Sequence, residues 1–353
     1  MSDIKRGVSL YSLQDSYYMG DLDLEGCLRV VSETGATGIE LLAEEMVKQF
    51  PNPIYTEEFQ NKWFGWMKKY NLTPTCYDAF LENRIFDNRT LSLGEQVEMM
   101  QRDLKCASLL GFKCIRTLVS TPIDVIEQSL EYAEQVGVII GLEVHAPFSL
   151  NSTWAQGYLD RLAKPGSKYK YFAFIPDLGI FSKRIPDVLA DRCRRHGAKE
   201  ECIKVVDDAY AERVEKGFTK IEYSLDLGAA NRAYRNANGE EKLHKVLESM
   251  GAGPGDYEYL GSSYTYSWSN PQDLIDNIDH ICHTHAKFYN MHEDYTETAV
   301  AIDEVVAAYT KAGYTGYLNS EYEGGEHLRD VMLVPDQKQL AMHQECLRRA
   351  IGR

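Results

Sequence analysis

Strand-like and helix-like segments alternate along almost the whole chain, and this alternation constrains the fold more than any other feature. Short apolar or β-branched runs fall at residues 7–12 (GVSLYS), 38–42 (GIELL), 72–77, 114–118, 138–144 (VIIGLEV), 171–176, 281–288 and 317–322. Between them the periodicity is helical, at 24–35, 56–70, 92–110, 121–135, 271–278, 298–312 and a closing stretch, 335–351. Gly35, Gly111, Gly137 and Gly313 stand where helices should stop, and Thr121-Pro122 where one should start. The run 138–144 is almost entirely apolar, as a parallel strand buried on both faces must be. Strict βα order implies parallel strands, and eight repeats imply a closed (β/α)8 TIM barrel. An open doubly wound sheet is the competing architecture, but no G-x-G-x-x-G follows the first strand to support it.

Residues from about 181 to 270 break the rhythm, because they are far longer than a normal βα connection. They contain charged helical stretches at 200–216 and 238–249, then a Gly/Pro/Tyr-rich piece, GAGPGDYEYLGSSYTYSWS. The 353 residues are read as a single barrel domain, 1–353, with this segment inserted between strands six and seven as a lid or subunit-docking region.

The net charge is −15 and no basic stripe occurs, which argues against nucleic acid and anionic membranes as partners. The eight cysteines show no C-x-x-C spacing, so reduced thiols are expected. The first residues lead into a strand-like run without an apolar signal region, and no 18-residue apolar stretch occurs. The expected location is the cytoplasm.

Barrel enzymes place their chemistry where strands end. Strand five ends in Glu143 and His145, strand six in Asp177, strand seven in His283, His285 and Lys287, and strand eight in Glu321 and Glu323. Residues two apart share a strand face, so these groups can converge on the barrel interior. Buried unpaired, they would be costly; a bound cation resolves the cost. Three carboxylates and one imidazole suit Mn²⁺, Mg²⁺ or Co²⁺, with Zn²⁺ a less natural choice for so oxygen-rich a set. On strand seven, His283 and His285 can both face inward.

This arrangement resembles the xylose-isomerase-like sugar isomerase/epimerase superfamily in GVSLYS, GIELL, LEVHAP, PDLG, HTHAKF and SEYEG. The resemblance covers most of the chain outside about 181–270. It implies that Glu143, Asp177, His285 and Glu321 hold the metal, since the family histidine precedes the lysine by two. A related group, the apurinic endonucleases, carries extra histidines and a basic face. Strand three here ends in Cys76-Tyr77-Asp78, which with the charge of −15 argues against DNA repair.

Within the superfamily, the LEVHAPF and HTHAKF segments and the long insertion look most like the α subunit of bacterial C-glycoside deglycosidases. That likeness implies a Mn²⁺-dependent carbon–carbon lyase acting on 3-oxo-glucosyl aryl C-glycosides, joined to a small β subunit in a hetero-oligomer. His145 would move the proton next to the carbonyl, with Glu143 and Glu321 also able to carry protons. Lys287, His283, Arg116 and Tyr11 are the expected substrate contacts. The alternative reaction is ketose or inosose isomerisation or epimerisation. An aryl group needs an apolar slot, for which Tyr11, Tyr77, Phe148, Trp154 and the cluster Tyr257, Tyr259, Tyr264, Tyr266 and Trp268 are candidates. His196, His244 and His343 lie in charged helical contexts and are expected to be solvated.

Overall fold

The computed structural model describes residues 3–47, 56–162 and 169–352. Its frame is eight parallel strands alternating with helices. The first half runs β1 (Lys5–Ser9), α1 (Leu24–Glu33), β2 (Gly38–Leu41), α2 (Glu57–Tyr70), β3 (Thr73–Asp78), α3 (Leu93–Leu109), β4 (Cys114–Thr117) and α4 (Ile123–Val136). Then come β5 (Ile139–Val144), α5 (Thr153–Leu162) and β6 (Phe172–Pro176). After a long excursion the chain returns through β7 (His285–Phe288), α11 (Ile302–Lys311), β8 (Tyr317–Tyr322) and α12 (Asp336–Ile351), where α6 to α10 belong to the excursion.

Local sequence explains the boundaries. Ser92 and Glu95 form a reciprocal capping box that starts α3, and Asp23 caps α1 through the Gly26 amide. Gly137, at φ +69°, stops α4 as the sequence predicts. The strands pair in the order β6-β5-β4-β3-β2-β1-β8-β7. Two isolated parallel bridges, Phe174 to Ile281 and Asp177 to His285, span the remaining gap between β6 and β7. The TIM-barrel expectation holds, with its weakest seam where the excursion leaves the sheet.

Three local expectations shift. β1 ends at Ser9 rather than residue 12: Leu10–Leu13 turn into a 3-10 helix whose start is capped by the Ser9 side chain. The ladder of β7 begins only at His285, so His283 precedes it. The Gly/Pro/Tyr-rich piece forms a helix, α10 (Pro254–Ser263), because Pro254 sits at its first turn and Asp256 bonds back to the Gly253 amide.

The other excursion helices are α6 (Asp187–Arg195), α7 (Glu200–Lys216), α8 (Leu227–Ala237) and α9 (Glu240–Ser249). Their interior is aromatic: Tyr210, Tyr234, Tyr259 and Tyr264 are buried, and the Arg213 guanidinium lies 4.5 Å from the Tyr264 ring centre. Arg195 ties α6 to the loop after β8, bonding the His327 carbonyl at 2.6 Å and Asp330 at 2.8 Å. Trp154 packs between Phe148 and Tyr158, and Tyr77 packs on Phe112 behind the sheet. Tyr77, Trp154, Tyr259 and Tyr264 are thus packing residues and line no aryl slot.

His343 is also corrected. It is fully buried, 2.7 Å from Ser320 Oγ and stacked on Phe288, because α12 lays that face against β7 and β8. All eight cysteines are free, and no helix among the described residues is long and apolar enough to cross a membrane.

Candidate active site

Small residues on the strands make room inside the barrel. A Cβ at Gly7 would collide with Asn319, and one at Gly141 would meet Ile175. Above this floor the inward side chains become charged. Glu143, Asp177, His285 and Glu321 are all buried, and each offers a donor atom within 4.8 Å of the others. β5, β8 and the β6–β7 seam place them: Asp177 bridges to His285, and Lys287 faces Glu321 across the ladder.

His285 is the hub. Its Nδ1 lies 2.9 Å from Glu143 Oε1 and 3.3 Å from Glu321 Oε1, while Nε2 lies 3.1 Å from Glu40 Oε1. Burial disfavours its charged form, yet the charges of Glu321 and Glu40 and the bonds to Glu143 and Glu321 outweigh this and raise its pKa well above the ordinary value. Lys287 behaves alike: against burial, Asp177, Glu323 and Glu321 hold it protonated, with contacts of 2.7, 2.7 and 3.5 Å. Burial acts to raise the carboxyl pKa of Glu143 and Glu321. Arg116 and His285 at Glu143, and His285 and Lys287 at Glu321, overcome it and hold both below the usual range. Even so, Asp177 Oδ2 and Glu321 Oε2 are buried without a well-aligned hydrogen bond.

These atoms fit a divalent cation. Three hard oxygen donors and one nitrogen converge on one point, and the acidic surplus that the surrounding cations offset is what a bound ion would neutralise. A carboxylate only accepts, so Glu40 favours a proton on His285 Nε2, and Nδ1, which faces Glu143 and Glu321, is the nitrogen that would give up its proton to a cation.

The remaining residues singled out from sequence take distinct places. His283 is not in the four-residue cluster; its Nε2 bonds the other oxygen of Glu40 at 2.6 Å, and its ring stands perpendicular to His285, 5.7 Å away. Arg116 is buried, donating to Asp78 at 2.8 Å and lying 3.8 Å from Glu143. His145 is half-buried just past the end of β5. Its Nδ1 donates to the Ala146 carbonyl at 2.6 Å, which leaves Nε2 as the basic nitrogen. Tyr11 sits on the 3-10 turn beside Glu323; burial and then the charges of Glu323 and Glu321 push its hydroxyl up to about 12.

Glu40 is the residue that sequence reading missed. It lies in GIELL on β2, fully buried; His283 hydrogen-bonds one of its oxygens and His285 Nε2 lies 3.1 Å from the other. The signal was present: a single carboxylate within an otherwise apolar buried strand demands a partner.

The comparisons with known proteins fall into two groups. In fold, the chain resembles a sugar phosphate isomerase/epimerase from Parabacteroides distasonis, with a TM-score of 0.53 and 10% identity over 100% of this chain and 95% of the other. It also resembles a xylose isomerase domain protein from Planctomyces limnophilus, with a TM-score of 0.51 and 12% identity over 99% and 98%. The likeness is one of fold: a TIM barrel of the same kind as in these two proteins. In sequence, the chain is similar to the 3'-dehydrocarminate deglycosidase α subunit of a Microbacterium species, 26% identical over 90% of this chain and 88% of the relative. A C-glycoside deglycosidase α subunit of Arthrobacter globiformis is 26% identical over 90% and 84%. No family model matches the chain.

Proposed function

We propose that this protein is the catalytic α subunit of a metal-dependent C-glycoside deglycosidase, cleaving the carbon–carbon bond between a 3-oxo-glucosyl unit and an aromatic aglycone. The observation that carries this reading is the match over nine-tenths of the chain to relatives named as α subunits of a 3'-dehydrocarminate deglycosidase and a C-glycoside deglycosidase. The buried cluster supplies the matching chemistry: Glu143, Asp177, His285 and Glu321 would hold the cation. When bound, a divalent cation, most naturally Mn²⁺, supplies Lewis-acid stabilisation of negative charge on neighbouring sugar oxygens.

The chain's own residues do the rest. His145 Nε2 takes the proton from the carbon beside the 3-oxo group. The electron pair released expels the aryl carbon, which leaves with the electrons of the broken bond and takes up a proton from the protonated His145. Lys287, beside Asp177, and Arg116, near Glu143, are both charged and buried and orient sugar oxygens. His283 and Tyr11 complete the expected substrate contacts. The partner is a small β subunit, the segment around 181–270 of this single-domain chain serves as a lid rather than as the docking region, and the protein works in the cytoplasm.

A second reading, a ketose or inosose isomerase or epimerase, is favoured by one feature: Glu143 and Glu321 face each other across His285 Nδ1, as two carboxylates moving protons on opposite sugar faces would. The test is to incubate the purified chain, with and without its neighbouring gene product, with Mn²⁺ and a 3-oxo-C-glucoside. Free aglycone is the expected product. Epimerisation of a simple ketose without aglycone release selects the second reading.

A further inference from the structure

Most of the exposed large hydrophobic side chains among the described residues lie on one half of the barrel mouth. Met19 belongs to the loop after β1, Ile85 and Phe86 to the loop after β3, and Val331, Met332 and Leu333 to the loop after β8. Leu333 is 73% exposed, Met19 63% and Ile85 58%. The loops after β8 and β1 are neighbours in barrel order and the loop after β3 lies one strand further on, so these residues are not the scatter of single apolar residues that a surface tolerates.

These loops are joined into one surface. Arg329 pairs with Asp15 at 2.8 Å, linking the loops after β8 and β1. The Tyr18 hydroxyl bonds Glu45 at 2.5 Å, and Glu44 accepts from the Phe80 backbone, carrying the connection to the loop after β3. Around the apolar residues the exposed charges are mainly acidic, Asp21, Glu82, Asp87 and Glu326 standing against Arg84. The cations Arg89 and Arg329 are already engaged by Glu95 and Asp15. Tyr11 and Glu323, at the edge of the candidate active site, lie beneath the same loops.

We propose that this half-rim is the docking surface for a separate partner polypeptide that presents an apolar face ringed by lysine and arginine, and that the docked partner roofs the Tyr11–Glu323 side of the site. The proposal rests on the α-subunit reading above and says where on this chain the partner sits. Charge selects the occupant: the acidic margin and the net charge of −15 oppose a second copy of the chain and favour a basic margin. The apolar residues then take the place of an interface core.

The test coexpresses the full chain with each polypeptide encoded in its own transcription unit and measures heteromer mass and affinity. The Met332→Asp/Leu333→Asp variant is compared with Leu225→Asp, which alters an exposed leucine (82%) on the excursion. Met332→Asp/Leu333→Asp should weaken the heteromer about 10-fold or more, leaving melting temperature and Mn²⁺ content unchanged. Leu225→Asp should leave the heteromer intact. Three results overturn the proposal: no heteromer with any of these polypeptides, a heteromer weakened only by Leu225→Asp, or a homodimer of the chain broken by Met332→Asp/Leu333→Asp. Aglycone release by the chain alone, without a heteromer, defeats the docking surface and spares the reaction. A heteromer that docks here yet only epimerises a ketose does the reverse.

Discussion

On the side of the mouth fed by β5 to β7, the chain covers itself: Arg195 clamps α6 onto the loop after β8, and tyrosines fill the excursion's interior. On the side fed by β8, β1 and β3, apolar side chains stand in solvent. The charged cluster is shared unequally between them. Glu143, His145, Asp177 and His285 come from the self-covered side, whereas Glu321 on β8 and Glu40 on β2 reach in from the open side. The contrast teaches that most of the cluster and its shielding are built into one half, while the other half adds Glu321, the support of Glu40 and a bare rim.

The largest effects should follow from breaking the covered side. Glu143→Gln removes a donor and should abolish both Mn²⁺ binding, read by titration calorimetry, and turnover. Retention of full Mn²⁺ affinity would remove Glu143 from the ligand set. His145→Ala should separate the two readouts, keeping the metal while lowering kcat by about 10²–10⁴-fold, the usual contribution of a positioned base. Unchanged kcat would remove its catalytic role.

A smaller effect tests the open side's contribution. Glu40→Gln leaves the four donors in place but no longer fixes His285 with Nε2 protonated. It should weaken Mn²⁺ binding about 10–100-fold, as loss of a carboxylate behind a metal-bound histidine does. Circular dichroism should show the barrel intact. An unaltered affinity would mean that Glu40 serves only the His283 contact.

The two halves were unequally legible in the sequence. The strands of the frame read well because burial on both faces forces apolar runs: VIIGLEV became Ile139–Val144, and the last strand matched at Tyr317–Tyr322. Charged residues at strand ends were visible because they interrupt those runs. Glu40 was not singled out although a lone carboxylate in an apolar strand demands a partner, because its partners, His283 and His285, lie far along the chain. Which of His283 and His285 joins the carboxylates also needs the third dimension, because the ladder of β7 starts between them. The helix at Pro254–Ser263 hid behind glycine and tyrosine content, its capping signals outweighed in the reading by composition.

The smallest predicted effect probes the clamp that makes the covered side covered. His327 is buried under the excursion, with Nε2 3.4 Å from the Tyr266 hydroxyl and 3.3 Å from Glu326. Burial, followed by the charge of Arg192, pushes its pKa down to about 4, while Glu258 opposes and Arg195 adds to the depression. The unfolded chain, with a histidine pKa near ~6.5, binds this proton more readily than the folded one. The stability tied to neutral His327 is thus fully present above that unfolded value and is lost as pH falls through the folded one. At pH 5 the loss is on the order of 1–2 kcal/mol after allowance for solvent screening. Denaturant titrations of wild type and His327→Gln between pH 7 and pH 4.5 should show a shallower fall for the variant. Protease cutting within the excursion should rise with acidity in wild type alone. Parallel pH profiles would show that the clamp holds without a neutral imidazole, and the Arg195 contacts would then account for the covering by themselves.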